Sequence, residues 1–139
     1  MRMKIIIDRL KAQCPTLGGR VSGMSDFLMA ADREEALGTT HAFVIRLTSE
    51  VLPNDQVGGV SQVFTERFGV FVCVNAAADR RGYDADDQFD DIRTELRAAL
   101  VNWSPDGTRS PFEDDGFENV TATRARAWRR FDFATLLCE

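Results

Sequence analysis

The sequence has little of what catalytic and metal sites need. It contains one histidine, His41, and only three cysteines, Cys14, Cys73 and Cys138. A Ser-His-Asp or Cys-His site needs a histidine as general base, and no GxSxG or comparable signature surrounds a serine or cysteine here. The cysteines are odd in number, widely spaced and without a CxxC pair, which argues against a disulfide framework and a zinc site. We therefore predict no enzyme activity, no catalytic residue, no cofactor and no bound metal.

Long apolar runs and phosphate-binding loops are missing as well. No stretch approaches the length of a membrane span, and Ile5-Ile6-Ile7 is far too short for a signal peptide. The glycine pairs Gly18-Gly19 and Gly58-Gly59 do not stand in a GxxxxGK[ST] context. We expect no membrane contact and a protein that is made and kept in the cytoplasm of its cell.

The overall charge argues against a protein that coats nucleic acid. The chain has 139 residues, a formal net charge of −5 and 44% hydrophobic residues. Such a length and composition are typical of one globular domain with its own hydrophobic core. We expect residues 1–139 to form a single domain.

The strongest pattern is a strand followed by an amphipathic helix. Even-numbered apolar residues from Phe64 to Val74 indicate a strand over Phe64–Asn75 that is buried on both faces in its C-terminal half. A helix then begins near Asp84, with a stripe at spacings of three and four, and Ser104-Pro105-Asp106-Gly107 supplies turn residues that stop it. The stripe consists of Phe89, Ile92, Leu96, Ala99, Leu100 and Trp103.

The N-terminal half predicts a second helix and a second strand. Helical spacing begins at Met3 and ends at Pro15, because the residue before proline avoids helical angles. Leu17–Val21 reads as a turn and a short extended piece, and the segment after Ser25 or Asp26 as a short helix or an ordered loop. Thr40–Leu47 is apolar and β-branched enough for a strand. Thr48–Gly59 has no apolar period and predicts an exposed loop or hairpin arm, either an interface or a connector.

The C-terminal part predicts the rest of the sheet. Pro111–Glu118 reads as a strand with a bend or bulge at Gly116. Val120–Leu137 alternates and predicts one strand with a packed face and a cationic face, with Arg129 out of pattern. The fold class is therefore α/β of the α+β type: a mainly antiparallel sheet of about four strands, packed by an N-terminal helix and a central amphipathic helix.

Acidic residues cluster where the central helix begins. A metal site is one interpretation, but the cluster lacks the glycine and the terminal glutamate of a calcium loop. Carboxylates are also favoured in the first turn by the helix dipole, so a solvated helix start is the interpretation that we favour. The cluster consists of Asp84, Asp86, Asp87, Asp90 and Asp91.

The last strand carries a basic stripe, which is the most distinctive surface feature of the sequence. With the interleaved Trp128, its arginines could hold phosphates and stack on bases. They could instead meet an acidic protein surface, of which this chain carries two, at Asp84–Asp91 and at Glu113–Asp115, or simply be solvated. A cationic and an acidic face on one domain suit a head-to-tail ring. The candidate interface residues are Arg124, Arg126, Arg129, Arg130, Asp84, Asp86 and Asp87.

Several short pieces, in order and spacing, resemble the tail terminator (tail completion) proteins of long-tailed bacteriophages. The helix that ends in Leu-Val-Asn-Trp-Ser-Pro is the most characteristic piece. The pieces are Ile6, Arg9-Leu10, Pro15, Leu17 and Arg20-Val21; Ala42-Phe43-Val44; Val63, Phe68, Val70 and Val72; Asp91-Ile92-Arg93, Leu96, Ala99-Leu100, Trp103 and Pro105; and Gly116, Trp128, Phe131 and Phe133.

The resemblance implies a non-enzymatic structural role in the virion. Such proteins form a hexameric ring on the head-proximal end of the tail tube, stop its polymerisation and present the surface that joins the neck. The implied partners are other copies of the chain, the tail tube protein and a neck or connector protein, with DNA only as passing cargo. Assembly would take place in the bacterial host cytoplasm. The alternatives are another head–tail neck or connector ring protein and a nucleic-acid-binding module.

Overall fold

The described residues form a five-stranded sheet with two helices, which confirms the predicted α+β class. The structure, a computed structural model, describes residues 2–24, 40–53, 62–75, 83–105, 110–122 and 126–138. Its elements are α1 (Met3–Gln13), a 3-10 turn (Pro15–Leu17), β1 (Val21–Ser22), β2 (His41–Val51), β3 (Val63–Asn75), α2 (Tyr83–Leu100), β4 (Glu113–Ala122) and β5 (Arg126–Cys138). The strand order is β1-β2-β3-β5-β4. β1 pairs with β2 in parallel, and the other neighbours are antiparallel.

α1 is the predicted N-terminal helix. Ile6 and Leu10 are fully buried against the sheet. The helix ends as expected: Cys14 N–H donates to Leu10 O, and Pro15 then begins the 3-10 turn. Gly18 follows in the left-handed region, with φ 55, which glycine adopts without a Cβ clash. The chain then enters the short strand β1, which is the extended piece predicted there and the fifth strand of the sheet.

β3 is the central strand and separates two buried faces. On the helix side, Phe68, Val70, Val72 and Val74 are at most 1% exposed. On the opposite side, Cys73 is buried in a smaller apolar cluster with residues of β2 and β5. The prediction of burial on both faces in the C-terminal half of this strand is confirmed.

β2 is longer than predicted. Thr48–Val51, which the sequence analysis placed in an exposed loop or hairpin arm, pair with Phe64–Arg67 of β3 after a register shift. These residues are solvent-exposed, so the strand has no apolar period there that could reveal it. Residues 54–60 lie outside the described part of the chain, as does the predicted helix or loop after Ser25 or Asp26.

The C-terminal part is a hairpin rather than one strand over Val120–Leu137. Val120–Ala122 are the end of β4, and β5 begins at Arg126 and runs back beside it. The sequence from Val120 to Arg126 contains no glycine, proline, asparagine or aspartate, so no typical turn residue marks the reversal. The bulge predicted at Gly116 is confirmed: its φ is 94 and the β4 register shifts between Asp114 and Phe117.

α2 packs on the helix side of β3 and β5 with its predicted stripe buried. The stripe residues inside the helix, Phe89, Ile92, Leu96, Ala99 and Leu100, are at most 3% exposed. The helix ends at Leu100, before the predicted stop at Ser104-Pro105. Asn102 adopts φ 67, a conformation that asparagine tolerates, and its N–H donates to Phe112 O at 3.1 Å. Pairing with the segment before β4 therefore ends the helix earlier than the proline would.

None of the described helices is long and apolar enough to cross a membrane.

Candidate interaction surfaces

Arg129 lies on the helix side of β5 and is enclosed within the chain. Its side chain is 9% exposed, and its guanidinium carbon lies 4.6 Å from the ring centre of Phe89 and 4.5 Å from that of Phe117. Nη2 donates to Asp86 Oδ1 at 2.8 Å and Nε donates to Asn119 Oδ1 at 2.7 Å. These contacts compensate for the loss of hydration that a buried charge otherwise suffers.

Arg130, the next residue, lies on the opposite face of the sheet and is 27% exposed in its side chain. Nε donates to Asp132 Oδ1 at 2.7 Å, and Nη2 donates to Glu118 Oε2 at 2.9 Å. The hydrogen bond to Asp132 is the main reason that the pKa of Arg130 lies above its usual value. The charge of Arg130 is therefore matched by two carboxylates of its own chain.

The remaining members of the basic stripe do not add an open cationic surface among the described residues. Arg126 is 5% exposed and Trp128 is 6% exposed, with the Trp128 ring 5.9 Å from that of Phe43. Arg124 lies outside the described residues. The described arginines are thus divided between two faces of the sheet, and Trp128 is not available for stacking on bases.

The acidic helix start is only partly free for a partner. Asp84 and Asp87 are exposed, whereas Asp86 is already paired with Arg129. The sequence analysis expected this pairing of acidic start and basic stripe between subunits, and the structure makes one such pair inside a single chain. The assignment of the other candidate residues to a subunit or tube contact stays a prediction.

The sequence analysis missed a group of ion pairs that joins α2 to β4 through Asp114. Asp114 Oδ2 accepts from Arg93 Nη2 at 3.2 Å and from Arg97, and Asp114 Oδ1 accepts from the N–H of Gly116 at 2.8 Å. Burial alone would raise the pKa of Asp114, but the Gly116 N–H and the two guanidinium groups outweigh it and lower that pKa. Two arginines four residues apart on one helix face were the available signal, because they can converge on one carboxylate.

His41 and Cys14 lie in surroundings that are structural rather than catalytic. The His41 ring stacks on Phe43 with 4.6 Å between centroids, and its Nε2 lies 3.3 Å from Ser22 Oγ. Burial, with a smaller contribution from Glu95, raises the pKa of Cys14 to about 12. Cys14 is therefore a neutral thiol near pH 7 and a poor nucleophile. The structure shows no cluster of three or more His, Cys, Asp or Glu side chains suited to a metal within the ranges it describes.

A model of the family described as phage tail terminator protein matches residues 1–137. The chain belongs to the phage tail terminator family. Membership gives this terminator protein a structural role in the phage tail and a location in the virion tail, and it points to a non-enzymatic protein. No curated protein matches the chain. One solved structure is similar over 99% of this chain and 89% of that chain, with 16% sequence identity and a TM-score of 0.47.

The residues on which the family resemblance was based lie mostly in the core of the terminator. Ile6 and Leu10 of α1, Val70 of β3, Leu96 of α2 and Phe131 of β5 are each at most 1% exposed. Such positions determine how helices pack on the sheet. They identify the family through its fold and leave the contact surfaces to be argued from exposed residues.

Proposed function

We propose that this chain forms a hexameric ring that caps the head-proximal end of the tail tube. The ring stops polymerisation of the tube and presents the surface to which the neck attaches. Its partners are other copies of the chain, the tail tube protein and a neck or connector protein, and DNA passes through as cargo. Residues 1–139 act as a single domain. The match of the family model to residues 1–137 is the observation that carries this proposal.

The described surface supports a protein partner more than a nucleic acid. Arg129 and Arg130 are neutralised by carboxylates of the same chain, and Trp128 is buried. Nucleic-acid binding depends on cations that are free to replace counterions on phosphates. With a net charge of −5, the chain is better suited to selective contacts with other proteins.

The capping role is tested by removing the gene from the phage and measuring tail tubes in the electron microscope. We expect tubes of uncontrolled length, and tubes of uniform length when the wild-type chain is supplied from a plasmid. A phage that lacks a neck protein is the matched control, because it should make headless tails of uniform length. Uniform tubes without this chain would contradict capping and favour the alternative of a neck or connector ring.

The ring is tested separately on the purified protein. Native mass spectrometry over a range of concentrations, followed by negative-stain imaging, should show a closed species of six subunits with a central hole, alone or on purified tubes. A different closed stoichiometry would contradict the hexamer. Binding to DNA with a steep loss of affinity at higher salt would instead support a nucleic-acid-binding module.

A further inference from the structure

Two exposed surfaces of opposite character lie at opposite edges of the sheet. α1 packs on β1 and β2, at one end of the strand order, and its inner side also contacts α2. β4 is the edge strand at the other end. A contact between these two surfaces cannot form within one sheet of this order, but it can form between copies.

The outer side of α1 is cationic with an apolar centre. Arg2, Lys4 and Lys11 are exposed there, with Asp8 as the single exposed carboxylate of the helix. Lys4 Nζ lies 3.9 Å from Asp8 Oδ2, but both side chains are largely in solvent, and such exposed pairs contribute little to stability. Ile5 is also exposed on this helix. We call Arg2, Lys4, Ile5 and Lys11 the basic helix face.

The edge strand β4 is acidic and carries large apolar side chains. It has four carboxylates and no lysine or arginine over Glu113–Ala122. Phe117 and Val120 are each 45% exposed. Asp115 and Glu118 pair with Arg67 and Arg130 of the same chain, but their side chains stay 46% and 67% exposed. Phe117 lies on the helix side of β4, beside Arg129, and Glu118 lies on the opposite side, beside Arg130. We call the exposed residues Glu113, Asp115, Phe117, Glu118 and Val120 the acidic edge.

We propose that the basic helix face of one copy of this chain docks on the acidic edge of the next copy. The inference deepens the proposed ring and rests on it. The charges are complementary, and Ile5 meets the exposed apolar side chains of β4, so that the contact has an apolar centre and a charged rim. Because the two surfaces are different and lie at opposite edges, the contact is head-to-tail, which is the arrangement that generates a ring when its rotation closes.

A helix fits this edge better than an added strand does. The β4 register shifts twice, between Asp114 and Phe117 and between Asn119 and Thr121, and acidic residues line the strand. Bulges and charges on an edge strand are known to oppose extension of a sheet by another strand. A helix packs through its side chains and needs no continuous backbone ladder, so the same features do not oppose it.

The test uses two charge-reversed variants that complement each other. Variant A is Lys4→Glu with Lys11→Glu, and variant B is Glu113→Lys with Glu118→Lys. In each variant alone, the two docking surfaces carry charge of the same sign. In an equimolar mixture, A and B can alternate around an even-numbered ring. Each contact between neighbouring copies then joins either two reversed surfaces or two unchanged surfaces, so the charges that meet are opposite again. Self-association is measured by sedimentation velocity at low ionic strength, and circular dichroism checks that each variant is folded.

We expect each variant alone to self-associate more than about tenfold more weakly than the wild type, because repulsion replaces attraction at the contact. The mixture should recover association. Variant B provides an internal control, since it lies closer to zero net charge than the wild type. General repulsion between molecules would make B associate more strongly, whereas the inference requires it to associate more weakly.

The outcomes separate this inference from the proposed function. Variants that associate as the wild type does, or that are not rescued by mixing, would overturn the docking arrangement. A wild-type chain that stays monomeric at every concentration and caps purified tubes without forming a ring on them would also overturn it, while the capping role survives. If the mixture recovers association but the wild-type chain never caps tubes, the docking contact is retained and the proposed terminator function is overturned.

Discussion

Arg129 and Arg130 are consecutive residues of one strand, yet they belong to two different environments. Arg129 faces the helices, where two aromatic rings enclose its guanidinium and Asp86 and Asn119 bind it. Arg130 faces the other side, where Asp132 and Glu118 bind it at a partly open surface. The alternation of a strand separates the two by one residue step.

The difference shows that an arginine-rich segment is not necessarily an arginine-rich surface. A sequence pattern shows only that several arginines lie close together in the chain. In the folded strand, neighbouring side chains point to opposite faces and meet different partners there. Arg129 acts as part of the core through its stacked, hydrogen-bonded plane, a role that lysine does not fill equally well. Arg130 connects β5 to β4 through its ion pair with Glu118. The exposed cations of α1 are consequently better candidates for a partner surface.

The largest expected effect comes from removing the enclosed guanidinium. Arg129→Ala should lower the free energy of unfolding by about 3 kcal/mol, because the rings of Phe89 and Phe117 lose their filling group and Asn119 loses its donor. Urea denaturation of purified protein measures this. The matched variant Arg129→Lys keeps the charge but not the planar fork, and should recover less than half of the loss. If Arg129→Ala costs no more stability than Arg130→Ala, the claim that Arg129 is part of the core and Arg130 is not would be contradicted.

Sequence patterns predicted the elements that are repetitive and buried. The helix ended by Pro15, the central strand and the stripe from Phe89 to Leu100 all follow from periodic burial, which is a local property of the chain. The reversal between β4 and β5 was not found, because no typical turn residue stands between the two arms. The helix end at Leu100 was misplaced, since it depends on a pairing of Asn102 with Phe112 that no local pattern encodes.

The candidate site was predictable in composition but not in arrangement. The acidic helix start and the basic stripe were recognised as charge-complementary, and one of the pairs, Asp86 with Arg129, does form. Whether such a pair forms within a chain or between chains depends on which face of β5 lies under α2. That is a tertiary property, and it also decided that Asp114 meets Arg93 and Arg97.

The second prediction probes the packing beneath Arg130. A Cβ added at Gly69 would lie 2.8 Å from Cγ and 2.9 Å from Cδ of Arg130, and 3.3 Å from Leu47 Cδ1. Gly69→Ala should therefore cost about 2 kcal/mol of stability through overpacking. In an Arg130→Ala background the same change should cost clearly less, because the clashing carbons are gone. Equal costs in both backgrounds, measured by urea denaturation, would show that Arg130 does not pack on Gly69.

The third prediction extends the comparison to carboxylates. Asp114→Asn should cost about 1.5 kcal/mol near pH 7, because Arg93 and Arg97 lose their shared anion. The pKa of Asp114 is lowered below its usual value, so its contribution to stability is present above the pKa of the unfolded chain and is lost as pH falls through the lower pKa of the folded state. The stability difference between wild type and variant, measured by urea denaturation at a series of pH values, should shrink on acidification. Glu118→Gln, at an exposed carboxylate, is the matched control and should show a smaller effect.

The smallest expected effect is that of Arg130→Ala in the wild-type background, about 1 kcal/mol, because its ion pairs are partly solvated and surface pairs contribute little. The effect of salt concentration on the loss of stability distinguishes the site of Arg130 from that of Arg129. Mobile ions reach the pair between Arg130 and Glu118 and screen it, but they reach the guanidinium between Phe89 and Phe117 much less. The loss from Arg130→Ala should therefore decrease between low and high salt, while the loss from Arg129→Ala changes little. If both losses respond to salt alike, Arg129 is not enclosed in solution, and the case for α1 as the cationic docking surface weakens, since Arg129 would then be a competing one.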